Sequence, residues 1–254
     1  MRSAILVTAR LKSTRLPRKV ALPIFGRPLI GHMIERLRLA REPERIVLCT
    51  STVDQDSPLV EIARSEGVEC FRGHPDDVLQ RLTEAAELFS LDTALVCTAD
   101  NPFVDPIYID RLLQYHHAAG NDYSISVGLP LGTFAYALSV PAMRRACEMK
   151  AETDTEWWGG YFTDTGVFRT GQLHADEEFH WPELRLTVDT PQDFELITKI
   201  FETLGSDGKV FPLSEVISLL RSRPDLRAIN ASVRQKPAKP IRLRTEYIPE
   251  EVSQ

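Results

Sequence analysis

The stretch AILVTARLKSTRLPRK, residues 4–19, joins an apolar run to a loop that is rich in cations. The run from Ala4 to Val7 is typical of a buried parallel strand. Basic residues then follow close together: Arg10, Lys12, Arg15 and Lys19. Loops at the carboxyl ends of strands bind ligands in open α/β sheets, and Arg and Lys donate charge-assisted hydrogen bonds to phosphate oxygens. We therefore predict a nucleoside triphosphate site here, with the hydroxyls of Ser13 and Thr14 beside the cations.

The alternative is that this loop is a solvated basic surface. The chain as a whole is acidic, with 36 Asp and Glu against 30 Lys and Arg and a net charge of −6. The excess of positive charge in the loop is therefore not a general property of this sequence, and this favours an anion-binding site. The same acidic balance argues against general nucleic-acid binding, which usually requires a basic face.

The length of 254 residues is enough for one large α/β domain or two small ones with a sizeable core. No apolar stretch approaches the ~20 residues of a membrane span, and the first residues do not resemble a signal peptide. Cys49, Cys70, Cys97 and Cys147 lie far apart and form no CxxC pair, which predicts free thiols in a reducing compartment. We expect a cytoplasmic protein without a membrane span.

Strand-like and helix-like segments alternate along the chain. Strands are expected at 3–8, 45–50, 68–71, 93–98, 122–127 and 184–188, and helices at 28–41, 57–66, 76–89, 106–119, 141–149 and 214–222. Another helix should begin after Thr190, because Thr190, Pro191 and Asp193 suit the N-cap, first and third positions of a helix. This alternation predicts an α/β fold with a mainly parallel sheet.

The chain divides into three parts in this interpretation: an α/β domain (1–205), a C-terminal helical segment (206–230) and an extended basic tail (231–254). Residues 129–170 are rich in Gly, Thr and aromatic residues. We expect them to form an insertion of short strands and loops over the sheet edge, which recognises an acceptor or a second subunit. The tail is expected to pack on the body or on a dimer mate, and the alternative is that it faces phosphate.

Two aspartates stand at the ends of strand-like runs. Asp100 closes TALVCTAD (93–100), and Asp189 follows LRLTV (184–188). Carboxylates at the carboxyl ends of strands lie at the ligand-binding edge of a sheet, and Mg²⁺ prefers a few carboxylates plus substrate phosphate and water. Together with the basic loop, the two aspartates predict a Mg²⁺ site. The alternative for each of them is a turn or a helix N-cap.

Asp54-Gln55-Asp56 matches the DxD pattern of metal-using glycosyltransferases. The alternative is a turn and cap before the helix that begins near Pro58. His116 and His117 have no Glu at metal-ligand spacing, so we expect surface or core side chains there and no metal ligands.

Several motifs resemble those of the CMP-sugar-acid synthetases, which include the 3-deoxy-manno-octulosonate and acylneuraminate cytidylyltransferases. The loop ARLKSTRLPRK (9–19) followed by GRPLI (26–30) looks like the signature of that group. The related spore coat polysaccharide biosynthesis proteins are more similar still, at CTSTVDQDSPLVEIA (49–63), VECFRGHPDDVLQR (68–81), TADNPFVDP (98–106) and LRLTVDTPQDFELI (184–197). The resemblance extends over residues 3–205.

This resemblance implies a Rossmann-like α/β/α sandwich of the nucleotide-diphospho-sugar transferase (GT-A-like) type. It implies Mg²⁺-dependent transfer of CMP from CTP to a small anionic acceptor such as a sugar acid, with release of pyrophosphate, in polysaccharide or glycoconjugate biosynthesis. It also implies a homodimer. Catalytic roles are implied for Arg10, Arg15 and Lys19. Nucleotide contacts are implied for Ala9, Arg10, Ser13, Arg15, Lys19, Arg72, Gly73, Thr98 and Asp100, metal contacts for Asp100, Asp189 and Asp193, and acceptor contacts for Thr133, Glu156, Trp157 and Asp189. Asp193 would support either Asp189 or a second ion.

The acceptor region departs from the relatives' pattern. They often carry an acidic residue after the Gly of a PxGxD-like segment and a Glu-His pair, where this chain has PLGT (130–133) and Glu156-Trp157. The acceptor is therefore left open, and a phosphonate or a phosphorylated alcohol remains an alternative to a sugar acid. Two other classes also remain, a GT-A glycosyltransferase using Asp54 and Asp56 and a non-catalytic nucleotide-binding protein.

Overall fold

The computed structural model describes residues 1–205 and 209–247. Its strands are β1 (Ser3–Thr8), β2 (Pro23–Ile24), β3 (Arg27–Pro28), β4 (Arg45–Ser51), β5 (Glu69–Gly73), β6 (Thr93–Thr98), β7 (Tyr123–Val127), β8 (Tyr136–Ser139) and β9 (Thr170–His174). Its α-helices are α1 (Leu29–Leu37), α2 (Pro58–Ser65), α3 (Val78–Leu88), α4 (Pro106–Ala119), α5 (Val140–Met149), α6 (Gly160–Thr163), α7 (Pro191–Leu204), α8 (Leu213–Ser222) and α9 (Pro224–Ala228).

A seven-stranded sheet in the order β5-β4-β1-β6-β8-β7-β9 forms the centre of the fold. Strands β5, β4, β1 and β6 pair in parallel, whereas β8 pairs antiparallel with both β6 and β7. Strand β9 returns parallel to β7, and β2 and β3 form a separate short ribbon. The predicted α/β fold with a mainly parallel sheet is confirmed.

Both faces of the sheet are covered by helices. On β1, Ile5 and Val7 pack in one core cluster with α1, α2 and α4, while Ala4 and Leu6 pack in a second cluster with α3 and α5. Successive strand residues point to opposite faces, so a strand covered on both sides is apolar throughout. This explains why Ala4 to Val7 form an unbroken apolar run. A third cluster lies under α7 and α8.

The segment 184–188 differs from its expectation. It was predicted as a strand, but the structure gives it only an isolated bridge between Arg185 and Leu131. Its apolar side chains Leu186 and Val188 are fully buried, and the Val188 amide donates to the Asp100 carbonyl at 2.9 Å. Alternating apolar residues indicate that a segment is buried. A strand also needs a neighbouring extended segment that pairs with it over several residues, and 184–188 pairs only at the single bridge.

The region 129–170 is also placed differently in part. Its residues Tyr136–Ser139 form β8 in the interior of the sheet, so this portion does not lie over the sheet edge as expected. Strand β9 begins at the end of the region and forms the edge of the sheet beyond β7. Four- and five-residue strands are too short for their periodicity to identify them in the sequence.

The chain beyond 205 is helical and then extended, as far as the structure describes it. Helices α8 and α9 lie within 206–230, of which 206–208 are outside the described residues. The tail packs on the body through two backbone hydrogen bonds of 2.9 Å, from Arg244 to Met149 and from Ala151 to Arg242, and residues 248–254 are outside the described residues.

The cysteines are free thiols, as predicted. Cys49 and Cys97 are buried, and Cys70 and Cys147 are partly buried. Burial raises the pKa of the Cys49 thiol to about 12, which keeps it protonated at neutral pH. No helix in the described ranges has the length and apolarity needed to cross a membrane.

Candidate active site

The basic loop leaves β1 at Thr8 and is held in shape by a buried carboxylate. Asp56 is 1% exposed, and it accepts hydrogen bonds from the Leu11 amide at 2.7 Å and the Ser51 hydroxyl at 2.5 Å. The loop ends in a 3-10 turn that begins at Lys19, after Arg18 takes a left-handed conformation with φ of 56°. Since both oxygens of Asp56 bind the protein, the DxD interpretation of Asp54 and Asp56 as a metal motif is wrong for Asp56.

Three charged side chains from distant parts of the chain meet at the end of this loop. The ammonium of Lys19 lies 2.5 Å from Asp100 Oδ2 and 2.7 Å from Asp189 Oδ1. The guanidinium of Arg15 lies 2.9 Å from the same Asp189 oxygen. Asp100 follows β6 and Asp189 follows the buried 184–188 segment, so the structure brings together the two carboxylates that the sequence placed at one edge. We call Lys19, Asp100 and Asp189 the charged cluster.

Charge compensation in this cluster shifts two pKa values. Burial alone would raise the pKa of Asp189, but Lys19, Arg185 and Arg15 together lower it to about 2. Burial likewise opposes the charged form of Lys19, but Asp100 and Asp189 raise its pKa above the usual value. Asp189 is therefore ionised and Lys19 protonated at neutral pH.

A second layer of hydrogen bonds fixes Asp189. Arg185 donates from Nη2 to Asp189 Oδ2 at 2.8 Å and from Nε to Asp193 Oδ1 at 2.9 Å. Asp193 Oδ2 in turn accepts the backbone amide of Asp189 at 3.0 Å, and Thr190 and Asp193 form the predicted capping box at the start of α7. Asp193 is fully buried, and both of its oxygens accept hydrogen bonds from the protein, so it supports Asp189 from behind and does not face the charged cluster as a metal ligand.

The charged cluster has the donors that a divalent cation requires. Asp100 Oδ1 is buried and accepts no hydrogen bond from any described residue, which leaves a carboxylate oxygen available beside Asp189. Within residues 1–205 and 209–247, no group of three or more His, Cys, Asp or Glu side chains is arranged to hold a metal alone. Two carboxylates completed by substrate phosphate and water are the usual surroundings of protein-bound Mg²⁺.

Two adjoining cavities open onto the charged cluster. The first, which we call the basic cavity, has a volume of about 560 Å³ and includes these predicted residues: Ala9, Arg10, Ser13, Arg15, Lys19, Thr98, Asp100, Glu156 and Asp189. The second, the aromatic cavity, has a volume of about 700 Å³ and is lined by Trp157 and by Tyr123, Phe134, Tyr136 and Trp158. The charged cluster, Arg15, Glu156 and Trp158 line both cavities, so the two meet there.

Besides Asp193, three predicted residues line neither cavity. The guanidinium of Arg72 donates to the carbonyls of Ser51 at 2.9 Å and Val53 at 3.1 Å, and Gly73 lies buried at the end of β5. Thr133 is fully buried and donates its hydroxyl to the Pro130 carbonyl at 2.9 Å. The expected acceptor contact at Thr133 is therefore wrong in this structure, because the turn points its side chain into the protein.

The neighbouring Gly132 lines the aromatic cavity instead. Its φ is +93°, a value that favours glycine, and a Cβ there would lie 2.7 Å from the backbone nitrogen of Thr187. The PLGT turn thus brings backbone to the cavity wall where a side chain does not fit.

Sequence reasoning missed two groups of lining residues. Phe134 and Tyr136 were not singled out, since aromatic residues in a short apolar segment look like core. The tail residues Gln235 to Lys239 also line the aromatic cavity, although the favoured interpretation of the tail was packing on the body. The basic composition of the tail is the sequence signal for this position, whereas the missing apolar periodicity predicts only an extended segment.

Comparison with known proteins places this geometry in a family. The sequence model of the cytidylyltransferase family matches residues 4–204. The spore coat polysaccharide biosynthesis protein SpsF of Bacillus subtilis is 31% identical over 227 residues, which cover 87% of this chain and 94% of that protein. The 3-deoxy-manno-octulosonate cytidylyltransferase of an Acidovorax species is 28% identical over 183 residues, 70% of this chain and 65% of that enzyme.

A solved structure shares the same fold. A cytidylyltransferase from Leptospira borgpetersenii superposes with a TM-score of 0.82 at 23% sequence identity, covering 92% of this chain and all of that one. At this identity the likeness concerns the fold alone.

Proposed function

The chain belongs to the cytidylyltransferase family, and from this premise we propose that it transfers CMP from CTP to a sugar acid or a related small anionic acceptor, with Mg²⁺ and with release of pyrophosphate. The product would enter polysaccharide or glycoconjugate biosynthesis, as the name of the spore coat relative suggests. The nucleotidyltransferase class follows from the family. The acceptor, the metal and the pathway are the proposal.

The observation that carries the proposal is the position of the charged cluster between the two cavities. Lys19, Asp100 and Asp189 line both the basic cavity and the aromatic cavity. Transfer of a nucleotidyl group requires a triphosphate on one side of the reacting phosphorus and an acceptor hydroxyl on the other. A pocket lined by the cations of the basic loop and an aromatic pocket, which share this cluster, would provide these two sides.

The basic loop would bind the triphosphate and stabilise charge on the departing pyrophosphate. Arg10, Arg15 and Lys19 all face the basic cavity, and an in-line displacement concentrates negative charge on the phosphate oxygens. In the structure Arg10 lies 3.6 Å from Asp76 and 3.5 Å from Glu156, which are longer than hydrogen-bonded pairs. Its guanidinium is therefore loosely held and able to turn toward a phosphate.

The carboxylates would hold the metal and would not act as the general base. Asp100 and Asp189 are the residues that fit Mg²⁺, and the ion when bound would polarise the α-phosphate and neutralise its charge. A pKa of about 2 makes Asp189 a weak proton acceptor at neutral pH, whereas an efficient general base has a pKa near the working pH. Its role is electrostatic.

The aromatic cavity suits an acceptor that presents both an apolar face and a charge. Tyr136 and Trp158 meet edge to face, with ring centroids 5.1 Å apart, and form a firm wall. Trp157 lines the cavity at the position where the related sequences often carry a His. A sugar ring can pack its apolar face on such a wall, whereas the phosphonate and phosphorylated-alcohol alternatives have less apolar surface to offer.

The test is release of pyrophosphate by the full-length protein with CTP, UTP, ATP or GTP and Mg²⁺. The acceptor panel contains 3-deoxy-manno-octulosonate, N-acetylneuraminate, phosphonates and phosphorylated alcohols. Release that requires CTP and a sugar acid together supports the proposal. Release only with another acceptor class corrects the acceptor, and no release with any pair refutes the proposal.

The proposal also includes a cytoplasmic homodimer with the domain limits 1–205, 206–230 and 231–254. A supply of CTP and the four free thiols support the reducing interior of a cell. The oligomeric state is measured by light scattering after size-exclusion chromatography, and a monomeric mass at micromolar concentration contradicts the dimer.

A further inference from the structure

Residues 235–239 of the C-terminal tail, which we call the strap, run along the aromatic cavity and line it. Lys236 also lines the basic cavity, so its side chain stands at the junction of the two. The family match ends at residue 204, and the strap therefore lies outside the part of the chain that defines the family.

The strap is fastened at both ends. At its start, Gln235 Oε1 accepts a hydrogen bond of 2.5 Å from Arg185 Nη1, the same guanidinium that holds Asp189. At its end, the Lys239 ammonium lies 2.8 Å from Asp154, and the Arg242 carbonyl accepts from the Ala151 amide. Two prolines of the tail, 237 and 240, restrict the backbone further. The path of the strap past the cavity is thus fixed by named contacts.

Lys236 differs from Arg15, Lys19 and Lys239 in having no ion-pair or hydrogen-bond partner among the described residues. Arg15 and Lys19 are engaged by the charged cluster, and Lys239 by Asp154. Lys236 forms no ion pair or hydrogen bond with any residue in the described ranges. A free ammonium beside an aromatic wall is suited to an anionic group of a ligand in the aromatic cavity.

We propose that Lys236 is a specificity-determining residue that binds the anionic group of the acceptor. The inference rests on the proposed function and deepens it. In a sugar acid of the 2-ulosonate type, the carboxylate is attached to the same carbon as the attacking hydroxyl. Such a carboxylate must lie where acceptor and nucleotide meet, and Lys236 is the strap residue that lines both cavities. The strap thereby completes the acceptor site after the family domain has ended.

The experiment compares full-length wild type with Lys236→Ala, Lys236→Arg and Arg234→Ala. Arg234 is a matched control, because it is exposed, carries the same charge two residues away and lines neither cavity. Pyrophosphate release is measured with CTP and Mg²⁺ against 3-deoxy-manno-octulosonate and its uncharged methyl ester, and then against each other acceptor that the wild type uses. CTP affinity and the thermal midpoint establish that each variant is folded.

We expect Lys236→Ala to raise the KM for the acid by about 10- to 100-fold, the usual effect of removing one hydrogen bond to a charged group. The KM for CTP should stay unchanged, Lys236→Arg should recover most of the loss, and Arg234→Ala should behave as wild type. With the methyl ester, wild type and Lys236→Ala should be equal, because the charge that Lys236 binds is absent.

The outcomes separate this inference from the proposed function. No pyrophosphate release by the wild type with any acceptor refutes the proposed function, and the role of Lys236 with it. Release by the wild type, together with the same KM in Lys236→Ala and Arg234→Ala, refutes the inference alone. A rise in the KM for CTP with no change for the acid also refutes it, since Lys236 would then serve the triphosphate.

Discussion

Removal of the Lys19 ammonium tests the charged cluster most directly. Lys19 is only 14% exposed in its side chain and makes charge-assisted hydrogen bonds of 2.5 Å to Asp100 and 2.7 Å to Asp189. A hydrogen bond to a charged group contributes about 1.5–3 kcal/mol, and loss of one preorganised donor to a transition state costs about 2.7–4 kcal/mol. Since 1.36 kcal/mol is tenfold in rate, Lys19→Ala should lower kcat by roughly 100- to 1000-fold.

The assay is pyrophosphate release at saturating CTP, Mg²⁺ and acceptor for Lys19→Ala and Lys19→Met, with Lys199→Ala as the control. Lys199 pairs with Glu202 on the exposed surface of α7 and lines neither cavity. Lys19→Met keeps the apolar stem, so it separates loss of charge from loss of packing. The reasoning is refuted if a folded Lys19→Ala retains turnover within about threefold of wild type, because that is under 1 kcal/mol.

Three further predictions concern the metal, the response to acid and the turn at the cavity wall. Asp100→Asn should abolish Mg²⁺-dependent turnover, and a metal titration with unchanged dependence would contradict the role of Asp100. Burial, with a smaller contribution from His117, lowers the pKa of His116 to about 4. As the pH falls, the unfolded chain takes up this proton before the folded protein does, so the free energy of unfolding should fall by about 3 kcal/mol between pH 6.5 and 4. His116→Gln should reduce this pH dependence in urea titrations. Gly132→Ala places a Cβ 2.7 Å from the Thr187 backbone at a φ of +93°, so it should destabilise the fold by about 1–3 kcal/mol; an unchanged thermal midpoint would show that the turn relaxes.

The low pKa of Asp189 gives a second acid effect with its own pH window. The folded pKa is about 2 against an ordinary value of 3.8, so the ionised carboxylate contributes about 2 kcal/mol of stability above pH 4. That contribution is lost as the pH falls through the folded pKa. The loss of stability from Asp189 therefore occurs at lower pH than the loss from His116, and a series of unfolding measurements at different pH values distinguishes the two.

The outer strands show where prediction from sequence stopped. The core strands β1, β4 and β6 were identifiable because they are buried on both faces and therefore apolar throughout. Strand β8 has four residues and pairs antiparallel between β6 and β7, and nothing within four residues specifies such a partner. For the 184–188 segment the prediction was wrong in the opposite direction: a strand was expected where the structure has none, because burial alone produces a strand-like apolar pattern.

The sequence by itself determined the chemistry of one edge: a basic loop after β1 and the aspartates 100 and 189 at the ends of apolar runs. The charge of a side chain and the apolar run that precedes it are local properties of the sequence. They can be identified without knowing which other segments pack against them. Only the tertiary structure decided that Lys19 joins both aspartates, that Asp193 supports Asp189 instead of a second ion, and that Lys236 reaches the cavity. These depend on which distant segments pack together, and that is fixed by the burial of the whole core rather than by any local pattern.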